Sequence, residues 1–261
     1  VPSDLGRVTY AYKDRYLLTA TARYDGSSRF GENNKWGFFP SIGLAWRASE
    51  EKFLAGNKVI TNLKVRGSFG VTGNQEIGNY KSLAQLKVDN YIYNDTEIQG
   101  FYETIGNPDL KWERANQFDI GIDLSLWNRI HVTADYYHRK TSDLLYNVPI
   151  PSTSGFSSML SNVGSVLNKG WELSITGNII DLNDLKIDAT VNLSRNTNKI
   201  KELYNDVQSI TLKSGLGLSS YLKVGESLNS RYALLADGII RTEEQLAAYR
   251  KIEATAKMGD R

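Results

Sequence analysis

The feature that most constrains the fold is an alternation running from Trp112 to Leu126. Even positions are mostly apolar or aromatic (Trp112, Phe118, Ile120, Ile122, Leu124, Leu126), and odd positions carry Glu113, Ala115, Gln117, Asp119, Gly121, Asp123 and Ser125. Side chains of a strand alternate between two faces, so a period of two predicts a β-strand with one apolar and one carboxylate-bearing face. The run is long. Strands in soluble proteins typically stop after about five or six residues, whereas a tilted strand crossing a bilayer needs roughly 9 to 11. The apolar face meets either a second sheet or lipid, and the rest of the chain has to decide which.

The same pattern recurs. Val8, Tyr10 and Tyr12 alternate with Arg7, Thr9 and Ala11 up to a tight turn at Lys13-Asp14, and Tyr16, Leu18, Ala20, Ala22 and Tyr24 form one face of the next strand. After a polar loop from Gly26 to Lys35, a third strand runs from Gly37 to about Ala48 with Phe38, Ile42, Leu44 and Trp46 together; Pro40 on that face predicts an edge or a bulge. Ser49 to Thr61 is a connector, with one helical turn over Ser49–Leu54 behind a capping serine. Leu63, Val65, Phe69 and Val71 mark strand four, and Gly73 to Leu110 reads as a long irregular insert. Strand five is the opening stretch. It turns at Trp127-Asn128-Arg129 into strand six (Ile130, Val132, Ala134, Tyr136), followed by a long link from Asn147 to Lys169. Trp171, Leu173, Ile175 and Ile179 give strand seven, and a turn at Asp181 to Asp184 leads to strand eight (Leu185, Ile187, Ala189, Val191, Leu193). After Asn196 the regularity fades: Ser219–Val224 and Tyr232–Ala236 are short strand candidates, and Thr242–Thr255 reads as a helix opened by a capping box at Thr242 to Gln245.

Short and long links alternate along this order. That is the habit of an up-and-down outer-membrane barrel, with short periplasmic turns and longer loops outside; a soluble sandwich has no reason to gather every long link at one end. Mean hydropathy is -0.39, which excludes little, because half of each barrel strand faces a polar lumen. Charge is balanced, 31 basic against 29 acidic residues, so nucleic acid has no electrostatic footprint. The absence of cysteine excludes disulfides and thiolate metal sites. Val1 to Leu5 shows no signal-peptide pattern.

Several strings carry a resemblance. YLLTATARYDGSSRFG (Tyr16 to Gly31), WGFFPSIGLAWR (Trp36 to Arg47), LKVRGSFGVTGNQEIGNY (Leu63 to Tyr80), NPDLKWE (Asn107 to Glu113), NVGSVLNKGWELSITG (Asn162 to Gly177), LSRNTNKI (Leu193 to Ile200) and VGESLNSRYALLADGII (Val224 to Ile240) resemble SusC/RagA-type TonB-linked outer-membrane transporters. The resemblance implies a barrel of about 22 strands, closed by an amino-terminal plug, energised through TonB, capped by a SusD-like surface lipoprotein, and importing glycans or peptides. On that basis the fold class is all-β: an antiparallel up-and-down transmembrane β-barrel segment, about eight strands of a larger barrel, with long extracellular loops and one short helix near the C-terminus. Residues 1–261 are expected to be one partial barrel domain excerpted from a longer protein, without plug, amino-terminal strands or closing strands. Its exposed sheet edges would make the excerpt aggregate in water.

Candidate chemistry is sparse. Asp119, Asp123 and Asp135 sit on polar faces, but a polar barrel lining accounts for them without acid/base catalysis. His131 and His138, at odd separation, point to opposite faces, which disfavours a shared metal. Asp181 to Asp184 lacks the glycine and distal glutamate of a calcium loop. No catalytic, cofactor or metal residue is expected, and the chain is not read as an enzyme. Tyr91, Tyr93, Phe101 and Tyr102 in the longest presumed outer loop are the candidates for contact with ligand or lid, or pack that loop on itself. Trp46, Trp112, Trp127 and Trp171 read as girdle or core aromatics. The competing reading is a soluble β-sandwich carbohydrate-binding module, which requires the apolar faces of strands four to eight to pack on another sheet of the same chain.

Overall fold

The computed structural model describes residues 2–156, 158–182, 184–213, 219–228, 230–232, 238–251 and 255–259, with backbone alone at 87–89, 91, 100–104, 152, 211–213, 219, 220 and 232. Along the chain run β1 (Ser3–Tyr12), β2 (Tyr16–Gly26), β3 (Trp36–Arg47), β4 (Ile60–Asn74), β5 (Gln85–Tyr93), β6 (Thr96–Thr104), β7 (Glu113–Leu126), β8 (Ile130–Ser142), β9 (Leu145–Pro149), β10 (Ser158–Asn162), β11 (Ser165–Asp181), β12 (Lys186–Glu202), β13 (Ser209–Lys213), β14 (Ser219–Lys223) and β15 (Arg231–Tyr232), then the helix α1 (Glu243–Tyr249).

One antiparallel sheet dominates, in the order β1-β2-β3-β4-β7-β8-β11-β12. It is an up-and-down meander in which the hairpins β5–β6 and β9–β10 are inserted between consecutive strands of the long sheet. The short turns follow from local backbone chemistry. Lys13 and Asp14, like Trp127 and Asn128, take positive φ, and the turns close with Arg15 N donating to Tyr12 O and Arg129 N to Leu126 O. Paired left-handed residues give the hairpin turn whose twist matches that of the strands.

The register lines apolar residues up across the sheet. Tyr10, Leu18, Leu44, Gly67, Ile120, Tyr136 and Trp171 form one row, and Tyr12, Tyr16, Trp46, Val65, Ile122, Ala134, Leu173 and Leu193 the next. No sheet covers this face among the described residues: Phe118, Ile120 and Ile122 remain 46%, 46% and 45% exposed. The packing that a sandwich requires is not present.

The compact core lies elsewhere, at the end where the long links gather. Phe30, Phe39, Val71, Leu110 and Trp112 are buried together, with Ile77, Leu145 and Leu160 packed against them. Phe39 fits because Gly37 and Gly73 leave room; a Cβ at either would collide with its ring. Polar ties reinforce the cluster. Trp112 Nε1 donates to Lys35 O (3.2 Å), Asn107 Nδ2 to Leu160 O (2.9 Å), and Asn162 Nδ2 to Lys111 O and Asp143 O (2.6 and 3.0 Å), while Lys111 N donates to Asn162 Oδ1 (2.8 Å).

Residues 211–221 and 229–261 form a separate compact unit. There Thr242 and Gln245 make the expected capping box, and Ile240, Leu246 and Ala256 pack into a small core.

Several expectations change. The insert from Gly73 to Leu110 is not irregular, since it holds β5–β6, and the link from Asn147 to Lys169 holds β10, part of β9 and the start of β11. β12 continues past Asn196 to Glu202, because pairing with β11 extends to Ser165. The helix ends at Tyr249 rather than Thr255, and residues 252–254 lie outside the description, as do 233–236 of the proposed Tyr232–Ala236 strand. Ser49 does not cap a helix: the 3-10 turn is Ala48–Glu50, its cap position is Arg47, and no side chain bonds there. Pro40 opposes Ala22 on β2, while β3 pairs with β4 only from Ser41 onward, so the missing N–H falls where β3 has a free side.

Candidate functional site: the polar face of the long sheet

The face opposite the apolar rows carries the charge. Register places Arg66, Gly121, Asp135 and Glu172 in one row across β4, β7, β8 and β11, and Ser68, Asp119, Tyr137 and Gly170 in the next. The guanidinium of Arg66 passes over Gly121, where a Cβ would collide with both the Asp135 carboxylate and the guanidinium itself. It reaches Asp135 at 2.7 Å and Asp123 at 3.3 Å, and Lys64 adds a contact to Asp123 at 3.5 Å. Asp119 accepts from Ser68 Oγ (3.2 Å) and Gln117 Nε2 (2.8 Å). Tyr137 lies over Gly170, which would clash with its hydroxyl if it carried a Cβ.

Arg66, Ser68, Gln117, Asp119, Asp135, Tyr137 and Glu172 border a polar trough of about 650 Å³ that also takes in Arg139, Asn168 and Asn196. Guanidiniums, carboxylates, amides and one phenol face it, a lining able to hydrogen-bond polar groups. It does not suit acid/base chemistry. The three aspartates are engaged by Arg66, Lys64, Ser68 and Gln117, and among the described residues no group of three or more His, Cys, Asp or Glu could hold a metal ion. The histidines do sit on opposite faces: His131 Nδ1 shares a hydrogen bond with Ser125 Oγ (2.9 Å), whereas His138 pairs in register with Phe118 on the apolar side.

A second cavity, about 570 Å³ and almost wholly apolar, lies between the β9 segment and the end of β12, bordered by Leu144, Val148, Val166, Ile200 and Leu203 with Glu202 at its edge.

Of the candidate contact residues, Tyr93 is 73% exposed and pairs with Thr96 at the tip of β5–β6. The backbone register pairs Tyr91 with Ile98, Phe101 with Val88 and Tyr102 with Lys87; the side chains of Tyr91, Phe101 and Tyr102 lie outside the described residues. The hairpin turns at Asn94-Asp95, both at positive φ, and its base is held by Gly106, whose missing Cβ allows contact with the Leu83–Ala84 backbone. Tyr137 and Arg139 were not singled out from sequence as contact residues. Their signal is the alternation of β8, which puts a phenol and a guanidinium on its polar face.

At the short-turn end, Glu51 accepts from Tyr16 Oη (2.7 Å), Arg15 Nη1 (3.2 Å) and Trp46 Nε1 (3.4 Å). The hydrogen bond from Tyr16, more than any other contact, holds the Glu51 carboxyl below its ordinary range.

The profile of the family described as TonB dependent receptor-like, beta-barrel matches residues 6–245. TonB-dependent receptor P39 of Formosa agariphila is 43% identical over 244 residues, covering 92% of this chain and 22% of that protein. TonB-dependent receptor SusC of Bacteroides thetaiotaomicron is 40% identical over 208 residues, covering 77% and 21%. Among solved structures, the RagAB peptide transporter superposes with a TM-score of 0.76 at 34% identity, over 85% of this chain and 24% of that one. The chain thus spans about a quarter of the length of the relatives it matches, between 21% and 26% for the curated ones.

Proposed function

The chain belongs to the TonB-dependent receptor-like β-barrel family, a family of receptors rather than enzymes, and from that premise we propose that it forms part of the wall and loops of an outer-membrane barrel importing large nutrients. The observation that carries the reading is the bare apolar face, backed by a charged, trough-bearing one. On β11 the apolar band from Trp171 to Ile179 covers about 26 Å of strand at ~3.3 Å per residue, which at a barrel tilt of about 40° rises roughly 20 Å, most of the ~25 Å lipid-facing band of such barrels. β11 itself has 17 residues, so in this reading its Ser165 end, which follows the β9–β10 hairpin, extends beyond the bilayer on the outer side.

In this reading residues 1–261 are one section of a larger barrel energised through TonB, with a SusD-like lipoprotein over the loop end. The polar trough lines the passage, and the β5–β6 hairpin with Tyr91, Tyr93, Phe101 and Tyr102 meets the ligand or the lid. The solute is an oligosaccharide or a peptide. The RagAB relative transports peptide, and the trough's guanidiniums, carboxylates and amides can hydrogen-bond either class.

These 261 residues hold no cysteine, so in a full-length receptor with any cysteine elsewhere replaced, single cysteines can be introduced here and spin-labelled. Labels replacing Ile120 and Leu193 should be relaxed by oxygen partitioned into the bilayer, and those replacing Asp119 and Glu172 by a water-soluble nickel chelate. Water access at all four sites would refute the membrane wall. Uptake of labelled oligosaccharides against labelled peptides, in cells with and without the gene, separates the two substrate classes.

A further inference from the structure

The connector between β3 and β4 is folded rather than slack. After the 3-10 turn Ala48–Glu50, Leu54 N and Ala55 N donate to Glu51 O (2.9 and 2.8 Å), Asn57 N donates to Leu54 O (2.9 Å), and Asn57 Oδ1 accepts from Val59 N and Ile60 N (2.8 and 3.1 Å). Glu51 fastens it to the apolar face of the sheet through Tyr16 and Trp46, which share a register row. Phe53 is set beside Trp46, ring centres 6.4 Å apart, yet remains 71% exposed. An ordered segment thus pushes a phenylalanine outward from the rim of the apolar face.

Its charges are unequal in availability. Both carboxylates are matched, Glu50 by Arg47 (3.5 Å) and Glu51 by Arg15 (3.2 Å). Lys52 and Lys58 are exposed and have no ion pair among the described residues. Nearby, Lys13 Nζ sits 5.2 Å over the Tyr12 ring, on the same rim. What faces outward is an aromatic wedge between free ammonium groups, continuous with the apolar rows. Amphipathic cationic stems with an aromatic between them fit the boundary between acyl chains and anionic headgroups.

We infer that this connector is a lipid anchor: Phe53 enters the upper acyl region, and Lys52 and Lys58 bind the phosphodiester headgroups of anionic phospholipid in the leaflet at the short-turn end. The inference rests on the sheet being a membrane wall. Lipid is favoured over a protein partner because the wedge continues a surface that, in that reading, lipid already covers.

The test places the full-length receptor in nanodiscs of phosphatidylglycerol or of phosphatidylcholine and follows amide hydrogen exchange over residues 51–59. Exchange should be slower in phosphatidylglycerol by on the order of fivefold per lysine. The difference should vanish in the Lys52→Ser, Lys58→Ser double variant, which leaves the Glu51 contacts in place. Phe53→Ser should speed exchange in both lipids. Equal exchange in the two lipids, a difference that survives loss of both lysines, or protection that appears only when a periplasmic protein is added would each overturn the anchor. Spin labels replacing Ile120 and Leu193 in the same nanodiscs serve as the separate control. If oxygen in the bilayer relaxes them the wall stands and only the anchor is in question; if the water-soluble nickel chelate relaxes them instead the wall itself fails.

Discussion

Gly121 is where the polar face depends most on a missing atom. The guanidinium of Arg66 occupies the space a side chain would need and so ties β4 to β8 across β7. Gly121→Val should lower the urea midpoint of the full-length receptor in detergent by the equivalent of about 1–3 kcal/mol. Gly177→Val, with nothing within 4 Å of the added Cβ, should leave it within about 0.5 kcal/mol. Glu51 gives a pH prediction. Its pKa is lowered in the folded protein, so its contribution is present above the unfolded-state pKa and is lost as pH falls through the lower folded value. The protection of the connector amides, measured against their intrinsic exchange at each pH, should therefore fall below the ordinary carboxylate range, and Glu51→Gln should remove that loss of protection. The aspartates of the polar face were legible from alternation alone. Their partnership with Arg66 was not, because it depends on which residues stand opposite one another, and register is a property of pairs of strands.

At the scale of the element, the strands of the long sheet were legible because each has one apolar and one polar face and so keeps a clean period of two. β5–β6 was missed for the converse reason. Leu86, Ile92 and Tyr93 are all exposed although they fall on both faces of the hairpin, so no single face is apolar and the alternation blurs. Asn94-Asp95, with both residues at positive φ, was the available signal for the turn. NPDLKWE was legible as a string carrying the family resemblance, but its packing role was not: Leu110 and Trp112 bury themselves against residues far away in sequence. Trp112→Ala should cost about 3–5 kcal/mol locally. Limited proteolysis of the full-length receptor should then cut within 27–35 and 145–162, with β7 and β8 still protected; cleavage spread evenly through the chain would contradict a local role.

For the whole molecule, β1 and β12 each have one side without a partner strand among the described residues, and β1 is exposed throughout. Unpaired edges invite pairing with other chains. The 261-residue chain expressed alone should aggregate on removal of denaturant into buffer, seen by light scattering, and Trp46 and Trp171 should shift toward blue emission only when micelles are supplied. A monodisperse species in plain buffer would count against the lipid-facing assignment. The arrangement of the loop end has a practical consequence. Asn107, Lys111 and Asn162 fasten neighbouring links to one another below the level at which β5–β6 projects, and Gly106 closes the base of that hairpin. The mount and the projecting part are therefore separable. Residues 85–104 can be exchanged as a cassette between relatives, with the joints inside Leu83–Ala84 and Gly106, so a transplanted hairpin would test its own share of solute choice on an unaltered frame.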